Sequence, residues 1–344
     1  MRIESVGNTP LLPYRGFVPN RCKIFVKDET QNRLRLVDGQ CVREYEGGSS
    51  HYDRAFGPLV QHYIEMGKLL PGGTILETTS GNAGVSCARV ARLLGLRCII
   101  AIPKGIENAR EKAIENEGAR VIPVPGDYVN AFPKFALDFL VKNRDVVYLN
   151  HSMGPNKTEN RIVTNAMAQI GVELIDELDR IDAFVVAFGN GSSVLGPGRD
   201  LKRHNPNMQL IGFESAQSGD AYDKRYPGRY KDMLGIDLGS LPRHKLYGTS
   251  YPGINFPHTR IAFAEGLVDH VVLVSDRWVD ADYRRIIKKE MPRDLPRWDS
   301  ISYPPYGRST RAGIVVALHV APQLLESSNI VLLAYDREDR YDPE

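Results

Sequence analysis

From Thr74 to Asn150 the sequence switches back and forth between strand and helix patterns, and that alternation limits the fold more than any other feature. "TILET" reads as a short β-branched strand, "NAGVSCARVARLLG" as a small-residue helix ending at Gly95, and "LRCIIAIP" as a nearly continuous apolar strand. "NAREKAIENEG" is then a helix, "ARVIPVP" a strand, "YVNAFPKFALDFLVKN" a helix and "DVVYLN" a strand. A parallel strand covered on both faces has no polar side, so an unbroken apolar run is its signature. The β-α-β-α-β-α-β run predicts an α/β fold, a doubly wound parallel sheet with helices on both faces.

The pattern extends to both ends of the chain. "CKIFVKDE" precedes it as a strand, and "RAFGPLVQHYIEMGKLL" has helical spacing and stops at "PGG". After residue 150 come the helix "NRIVTNAMAQIGVELIDEL", the strand "IDAFVVAFG", and the strands "MQLIGFES", "HVVLVSD" and "NIVLLAY". "TRAGIVVALHVAPQLL" is the helix before the last strand. Residues 216–260 are rich in Gly, Pro and Tyr and read as an irregular loop over a site. "NRLRLVDGQCVREYEGG" carries Asp38-Gly39 between two strand-like stretches, which predicts an inserted β-hairpin near residues 32–48.

A chain of 344 residues exceeds one small core and suits two domains. The expected division is a small domain over 45–150 and a large one over 1–44 and 151–344, with the site in the cleft between them. Net charge is +2 with basic residues scattered, so neither nucleic acid nor an anionic membrane is called for as a partner. The densest basic run, "DYRRIIKKE" (Asp282–Glu290), reads as the solvated face of a helix. No apolar run approaches the ~18 residues that span a bilayer, and the N-terminus lacks a signal-type core, so a cytoplasmic protein is expected. The four cysteines (Cys22, Cys41, Cys87, Cys98) form no C-x-x-C pair. Cys87 and Cys98 read as buried small hydrophobes. The histidines show no metal-ligand spacing, and no metal is placed.

Two strand-to-helix turns carry the chemistry. In "TSGNAG" (Thr79–Gly84) small residues let a ligand approach the backbone, and the N–H groups that open the helix suit a carboxylate or phosphate. An ordinary turn capped by Ser80 or Asn82 is the bland alternative. "FGNGSSVLGPGRDLK" (Phe188–Lys202) repeats the logic with Gly189, Asn190, Gly191, Ser192 and Ser193. It closes with no Lys-Ser/Thr pair, so it is not a Walker loop.

The order and spacing of "VGNTPLL", "TSGNAG", "IPKGIENAREKAIENEGARVIPV", "GNGSS" and "IVLLAYDREDRY" identify a likeness. The chain resembles the cysteine synthase and cystathionine β-synthase family, pyridoxal-phosphate enzymes of fold type II with the tryptophan-synthase-β-like architecture. The resemblance covers nearly the whole chain apart from the hairpin. It implies that Thr79, Ser80, Gly81 and Asn82 grip a substrate carboxylate, with Asn82 also bonding the cofactor's ring hydroxyl. It implies that Gly189, Asn190, Gly191, Ser192 and Ser193 cradle the cofactor phosphate. "YGRSTRAG" (Tyr306–Gly313) resembles a segment near the cofactor, so Ser309 and Thr310 join the candidate substrate-binding residues. A homodimer is also implied.

Two positions depart from the family pattern. "GSSHYDR" places Tyr52 where the family has the lysine that forms the Schiff base. "AYDREDRY" places Arg337 where a serine meets the pyridine nitrogen. A phenol forms no imine, but it can move a proton if its ionisation near pH ~10 is tuned by a neighbour such as His51 or Arg54. His51 and Tyr52 would face opposite ways on a strand; one turn into a helix that rule fails. Lys27, Lys104 and Lys157 are the substitutes considered for the anchor, each with a solvated surface lysine as the bland reading. His151, after a strand, is placed at the pocket lining by resemblance. A fixed cation at Arg337 disfavours a protonated pyridine ring.

Three functional readings follow. The first is β-elimination or β-replacement chemistry on a small amino acid, a lyase or transferase without the usual lysine. Pyridoxal phosphate would then be held non-covalently or through another lysine. The second is a non-catalytic pseudoenzyme that binds an amino acid or a different phosphate-bearing ligand. The third is a new activity on a phosphorylated substrate with Tyr52 and His51 as acid and base.

Overall fold

The computed structural model describes residues 6–37, 40–44, 49–126, 128–249, 253–277 and 306–342, with the backbone alone described across 33–44. The chain forms two compact units. The first comprises Met1–Asn8, Thr30–Ala166 and Asp339–Glu344, and the second Thr9–Glu29 and Met167–Glu338. The first is thus wider than the expected 45–150. It takes in the hairpin, whose strand β3 touches the helix Asn82–Leu93, and it takes in the C-terminal tail. The tail is held by capping: the Asp342 carboxylate accepts the N–H groups of Asn108 (3.0 Å) and Ala109 (2.8 Å), the first two residues of a helix.

In the first unit, β3 (Arg33–Val37) and β4 (Gln40–Glu44) pair antiparallel with Val37 opposite Gln40, as the expected hairpin requires, while Asp38-Gly39 lies outside the described residues. The helix α1 (Asp53–Glu65) follows. A four-stranded parallel sheet comes next, built from β5 (Thr74–Thr78), β6 (Arg97–Pro103), β7 (Arg120–Val124) and β8 (Val146–Tyr148). Its helices are α2 (Asn82–Leu93), α3 (Asn108–Asn116) and α4 (Phe132–Lys142). The spatial order is β7-β6-β5-β8. The chain steps outward from β5 to β7 and then returns to β5's other side, so the topology reverses between β5 and β8. Ligands of open parallel sheets bind at the carboxyl ends of strands beside such a reversal. The segments leaving β5 and β8 carry Thr79–Gly84 and His151.

Helix α5 (Arg161–Glu177) leads into the second unit. Its six-stranded sheet has the order β1-β2-β12-β9-β10-β11. These strands are β1 (Leu11–Pro13), β2 (Lys23–Asp28), β9 (Ala183–Ala187), β10 (Gln209–Ser215), β11 (His270–Val274) and β12 (Asn329–Ala334). All pairs are parallel except β1 on β2. Here the reversal lies between β9 and β12, so the segments after these strands, Gly189–Ser193 and Tyr335–Arg337, flank it. The remaining helices are α6 (Ser192–His204), α7 (Asp220–Arg225), α8 (Arg229–Leu234), α9 (Pro257–Ala264) and α10 (Arg308–Val320). Residues 216–260 are therefore not uniformly irregular: α7, α8 and the first turn of α9 lie within them.

The central strands β5 and β9 are buried at every residue. Cys87 and Cys98 are buried with their sulfurs 3.9 Å apart and unbridged, as small core residues. The Cys41 side chain and the Asp282–Glu290 run lie outside the described residues. Lys27 is not a surface lysine. It is fully buried on β2, paired with Glu173 (2.9 Å) and Glu177 (2.6 Å), and it donates to the Thr9 carbonyl (2.7 Å). A cation so held is committed to structure. Lys104 and Lys157 are exposed. Among the described residues, no helix is long and apolar enough to cross a membrane.

Candidate active site

In the first unit, β5 ends at Thr78 and α2 begins at Asn82 with Gly81 at the N-cap. The N-cap position falls on Gly81, which has no side chain to cap the helix, so the backbone at the start of α2 is open to close approach by an anion. The loop is fixed from two sides. The Thr79 hydroxyl accepts the Gly81 N–H at 3.1 Å. Arg110, buried on α3, donates to the Ser80 carbonyl (3.4 Å) and lies over the Tyr341 ring at 4.5 Å. Gly81 is required by this brace, because a Cβ there would sit 2.0 Å from the Arg110 Nη1.

Tyr52 stands at the N-cap of α1 with helical backbone angles. The helical turn brings the His51 and Tyr52 rings together at 4.1 Å, so the two candidates do share a site. His51 and Arg54 are buried and Tyr52 is half-buried. The turn is locked through Asp53, which accepts the Ser50 N–H (3.1 Å) and pairs with Arg89 of α2 (3.1 Å). His151, from the segment after β8, lies edge-on to Tyr52 at 5.2 Å between ring centres. Its Nδ1 is 3.1 Å from the Glu77 carboxylate. That distance is an ion-pair distance, while the direction is not that of a hydrogen bond.

Sequence reasoning passed over Glu77. The signal was present: an acidic residue in the short strand "TILET", where β-branched neighbours mark a buried position.

In the second unit, Gly191 caps α6 in a left-handed conformation (φ 88°) with no side-chain cap on the helix. The Asn190 side-chain oxygen accepts the Ser192 N–H at 2.9 Å and shapes the turn. A Cβ on Gly191 would lie 2.4 Å from the Thr259 nitrogen, and one on Gly189 would lie 2.9 Å from the Gly248 carbonyl. A Cβ on Gly248 would in turn meet the Ser309 hydroxyl at 2.4 Å. Backbone and hydroxyl groups therefore crowd one glycine-lined turn. The hydroxyls of Ser192, Thr259 and Ser309 are buried and have no hydrogen-bond partner among the described residues. Orphaned buried hydroxyls beside the glycine turn that opens a helix are what a bound phosphate would satisfy. The residues present fit the phosphate end of a phosphorylated ligand. Ser193 is buried in the same turn. Thr259 and Gly248 gave no sequence signal: each is an isolated residue in an unpatterned stretch.

The other candidates of this unit are placed differently. Thr310 is fully buried, and its hydroxyl accepts the Tyr335 N–H at 3.0 Å, tying α10 to the end of β12. Arg337 is half-buried and forms a β-bridge with Tyr306. Arg311 donates to the Tyr306 carbonyl at 2.8 Å and pairs with Glu338.

A cysteine synthase from Staphylococcus aureus is 26% identical to this chain over 244 residues, 70% of this chain and 71% of the relative. The O-acetylserine dependent cystathionine beta-synthase of Bacillus subtilis is 25% identical over 342 residues, covering 98% and 94%. The solved O-acetylserine dependent cystathionine beta-synthase from Helicobacter pylori superposes with a TM-score of 0.74 at 24% identity, covering 99% of this chain and 97% of that one. That likeness shows the fold type II architecture. The family model described as pyridoxal-phosphate dependent enzyme matches residues 3–292, and the chain belongs to that family.

Proposed function

We propose that this protein carries out cysteine-synthase-like chemistry on a small amino acid, with Tyr52 at the position where the family pattern has its lysine. The observation that carries the reading is the trio of buried, unpartnered hydroxyls on Ser192, Thr259 and Ser309 around the α6 N-terminus. They argue that a phosphate-bearing ligand still belongs to this fold's cradle. The glycine N-cap of α2, which lets a ligand come close to the backbone of Thr79–Asn82, supports a carboxylate there.

The cofactor's phosphate would be held by the N–H groups of Gly191 and Ser193 and by those hydroxyls. Bound there, the cofactor supplies an electron sink for a substrate's α-carbon. The protein's own residues do the rest. The Thr79–Asn82 turn orients the substrate through its carboxylate. The Tyr52 phenol oxygen takes or returns the proton at that carbon, with the His51 ring tilted against it. A phenol offers no covalent anchor to an aldehyde, so the ligand is held without a bond to residue 52. Lys27 is ruled out as a substitute by its two carboxylate partners.

The rival reading is a binding protein that keeps both anion sites without catalysis. The observation favouring it is the fixed cation of Arg337 in the segment after β12, bridged to Tyr306. Homodimerisation is an expectation carried by the resemblance, and a cytoplasmic location is one carried by the sequence reading.

The test is to titrate the purified protein with pyridoxal phosphate, follow the visible spectrum, reduce with borohydride and map any adduct by mass. Saturable binding without an adduct, turnover of an O-activated serine and loss of turnover in Tyr52→Phe support the proposal. A trapped adduct on a wild-type lysine sinks the Tyr52 role, and binding without turnover selects the rival. Tyr52→Lys checks the positional equivalence: an adduct at residue 52 is expected, and its absence would place the ligand elsewhere.

A further inference from the structure

We infer that Glu77 and His151 are the positioning pair for the Tyr52 phenol, a carboxylate–imidazole–phenol series assembled in the first unit alone. The inference rests on the reading of Tyr52 as the proton carrier.

Glu77 has no exposed surface. A lone carboxylate in such a place costs several kcal/mol unless it is paired and hydrogen-bonded. Its oxygens accept the Thr78 N–H (2.8 Å) and the His151 N–H (3.1 Å). Among the described residues no lysine or arginine reaches it, so the only group near it that can carry a positive charge is the His151 ring, 3.1 Å away. The imidazole is itself buried, and among the described residues no hydrogen bond holds its Nδ1. It contacts Glu77 on one side and the rings of Tyr52 (5.2 Å) and Phe56 (5.4 Å) on the other. A buried ring nitrogen without a hydrogen bond calls for a role. Here, the carboxylate sets where the imidazole stands, and the imidazole lies edge-on against the phenol ring at 5.2 Å.

Other groups face this series. On β8, Tyr148 hydrogen-bonds Thr78 (2.9 Å), and burial first and the Glu77 charge second push its phenol up. On α1, the same two causes raise Tyr63. On α2, Cys87 is raised by burial first, then Cys98 and lastly Glu77. Asp53 and Arg54 flank Tyr52 on α1, and the Asp53 charge is bound to Arg89. The negative field of Glu77 thus reaches three neighbouring elements, and His151 stands between its source and Tyr52. A unit charge about 5 Å from a phenol alters its ionisation by roughly two pH units at an effective dielectric near 20.

The experiment labels tyrosine Cζ with carbon-13 and follows the Tyr52 resonance, assigned with Tyr52→Phe, from pH 5 to 11. It uses the full chain without ligand, so it does not depend on turnover. In the wild type the Tyr52 resonance should show an inflection from the imidazole besides its own. His151→Gln should abolish that inflection and move the phenol's midpoint by up to about two pH units. Glu77→Gln should alter both, and His62→Gln, at an exposed site on α1, should alter neither. In steady-state assays His151→Gln is expected to lower kcat about tenfold with KM changed less than twofold. Identical Tyr52 curves in the wild type and His151→Gln would overturn the pairing. If Glu77→Gln fails to fold by circular dichroism, the His151→Gln comparison still decides. A wild type without turnover but with coupled resonances would reject the proposed chemistry and leave the pairing standing.

Discussion

Arg89 grips Asp53 with its Nη1 3.1 Å from both carboxylate oxygens, and neither side chain is more than 2% exposed. The same guanidinium reaches Glu117 through its Nε at 2.9 Å, and Glu117 is also paired with Arg92 at 2.7 Å. The residue after Tyr52 is thereby bolted to α2 and to the end of α3.

Arg89→Met would leave Asp53 buried without its cation. The expected cost is about 3–5 kcal/mol, because an uncompensated buried charge is worse than no pair at all. Urea unfolding should show it as a lower midpoint with unchanged slope, and Arg89→Met/Asp53→Asn should recover part of the loss.

The same network makes stability fall in acid. Burial pushes the Glu117 carboxyl up, but the Arg89 charge and the hydrogen bonds from Arg92 and Arg89 outweigh it and hold it below its ordinary value of 4.5. A carboxyl depressed in the folded state contributes stability above its unfolded value and loses it as pH falls through the folded one. Glu117→Gln should therefore be less stable than the wild type at pH 7. The gap should close progressively below pH 4.5, as read by denaturant midpoints across that range.

Ser192→Ala and Thr259→Val separate binding from folding. Each removes a buried hydroxyl with no partner among the described residues, so stability should stay within about 0.5 kcal/mol of the wild type or rise. Affinity for pyridoxal phosphate should fall about fivefold per variant, the equivalent of one hydrogen bond near 1 kcal/mol, in a spectroscopic titration. Unchanged affinity in both would move the phosphate away from the α6 N-terminus.

Gly191→Ala should do more harm than either. Its φ of 88° is unfavourable for any L side chain, and the added Cβ would press on the Thr259 backbone at 2.4 Å. A loss of more than tenfold in affinity, with a lower melting temperature, is the expected result.

Gly81→Ala tests the other anion loop. The new methyl must displace Arg110, breaking its bond to Ser80 and its stacking on Tyr341. Stability should drop by about 1–2 kcal/mol, and the KM for the amino-acid substrate should rise while the affinity for pyridoxal phosphate is kept. A matched drop in both affinities would argue against separate loops for carboxylate and phosphate.

What the sequence determined by itself is local. Strand and helix periods are properties of consecutive residues, so "TILET", "LRCIIAIP" and "NIVLLAY" declare themselves as strands, and Asp38-Gly39 sets a two-residue turn. The two strand-to-helix loops were legible for the same reason, since glycines and small polar residues mark them directly. Tertiary structure decided the rest. His151 meets Glu77 across 74 residues only because β8 returns to the far side of β5. Thr259 and Ser309 come to the α6 N-terminus through packing, and no pattern in their own segments announces it. Lys27 looks like a surface cation until α5 sets Glu173 and Glu177 against it, and the C-terminal tail joins the first unit through Asp342 on α3. A residue's partners depend on which elements become neighbours and in what register. That is settled by the burial of the whole sheet, not by the spacing of residues along one stretch of chain.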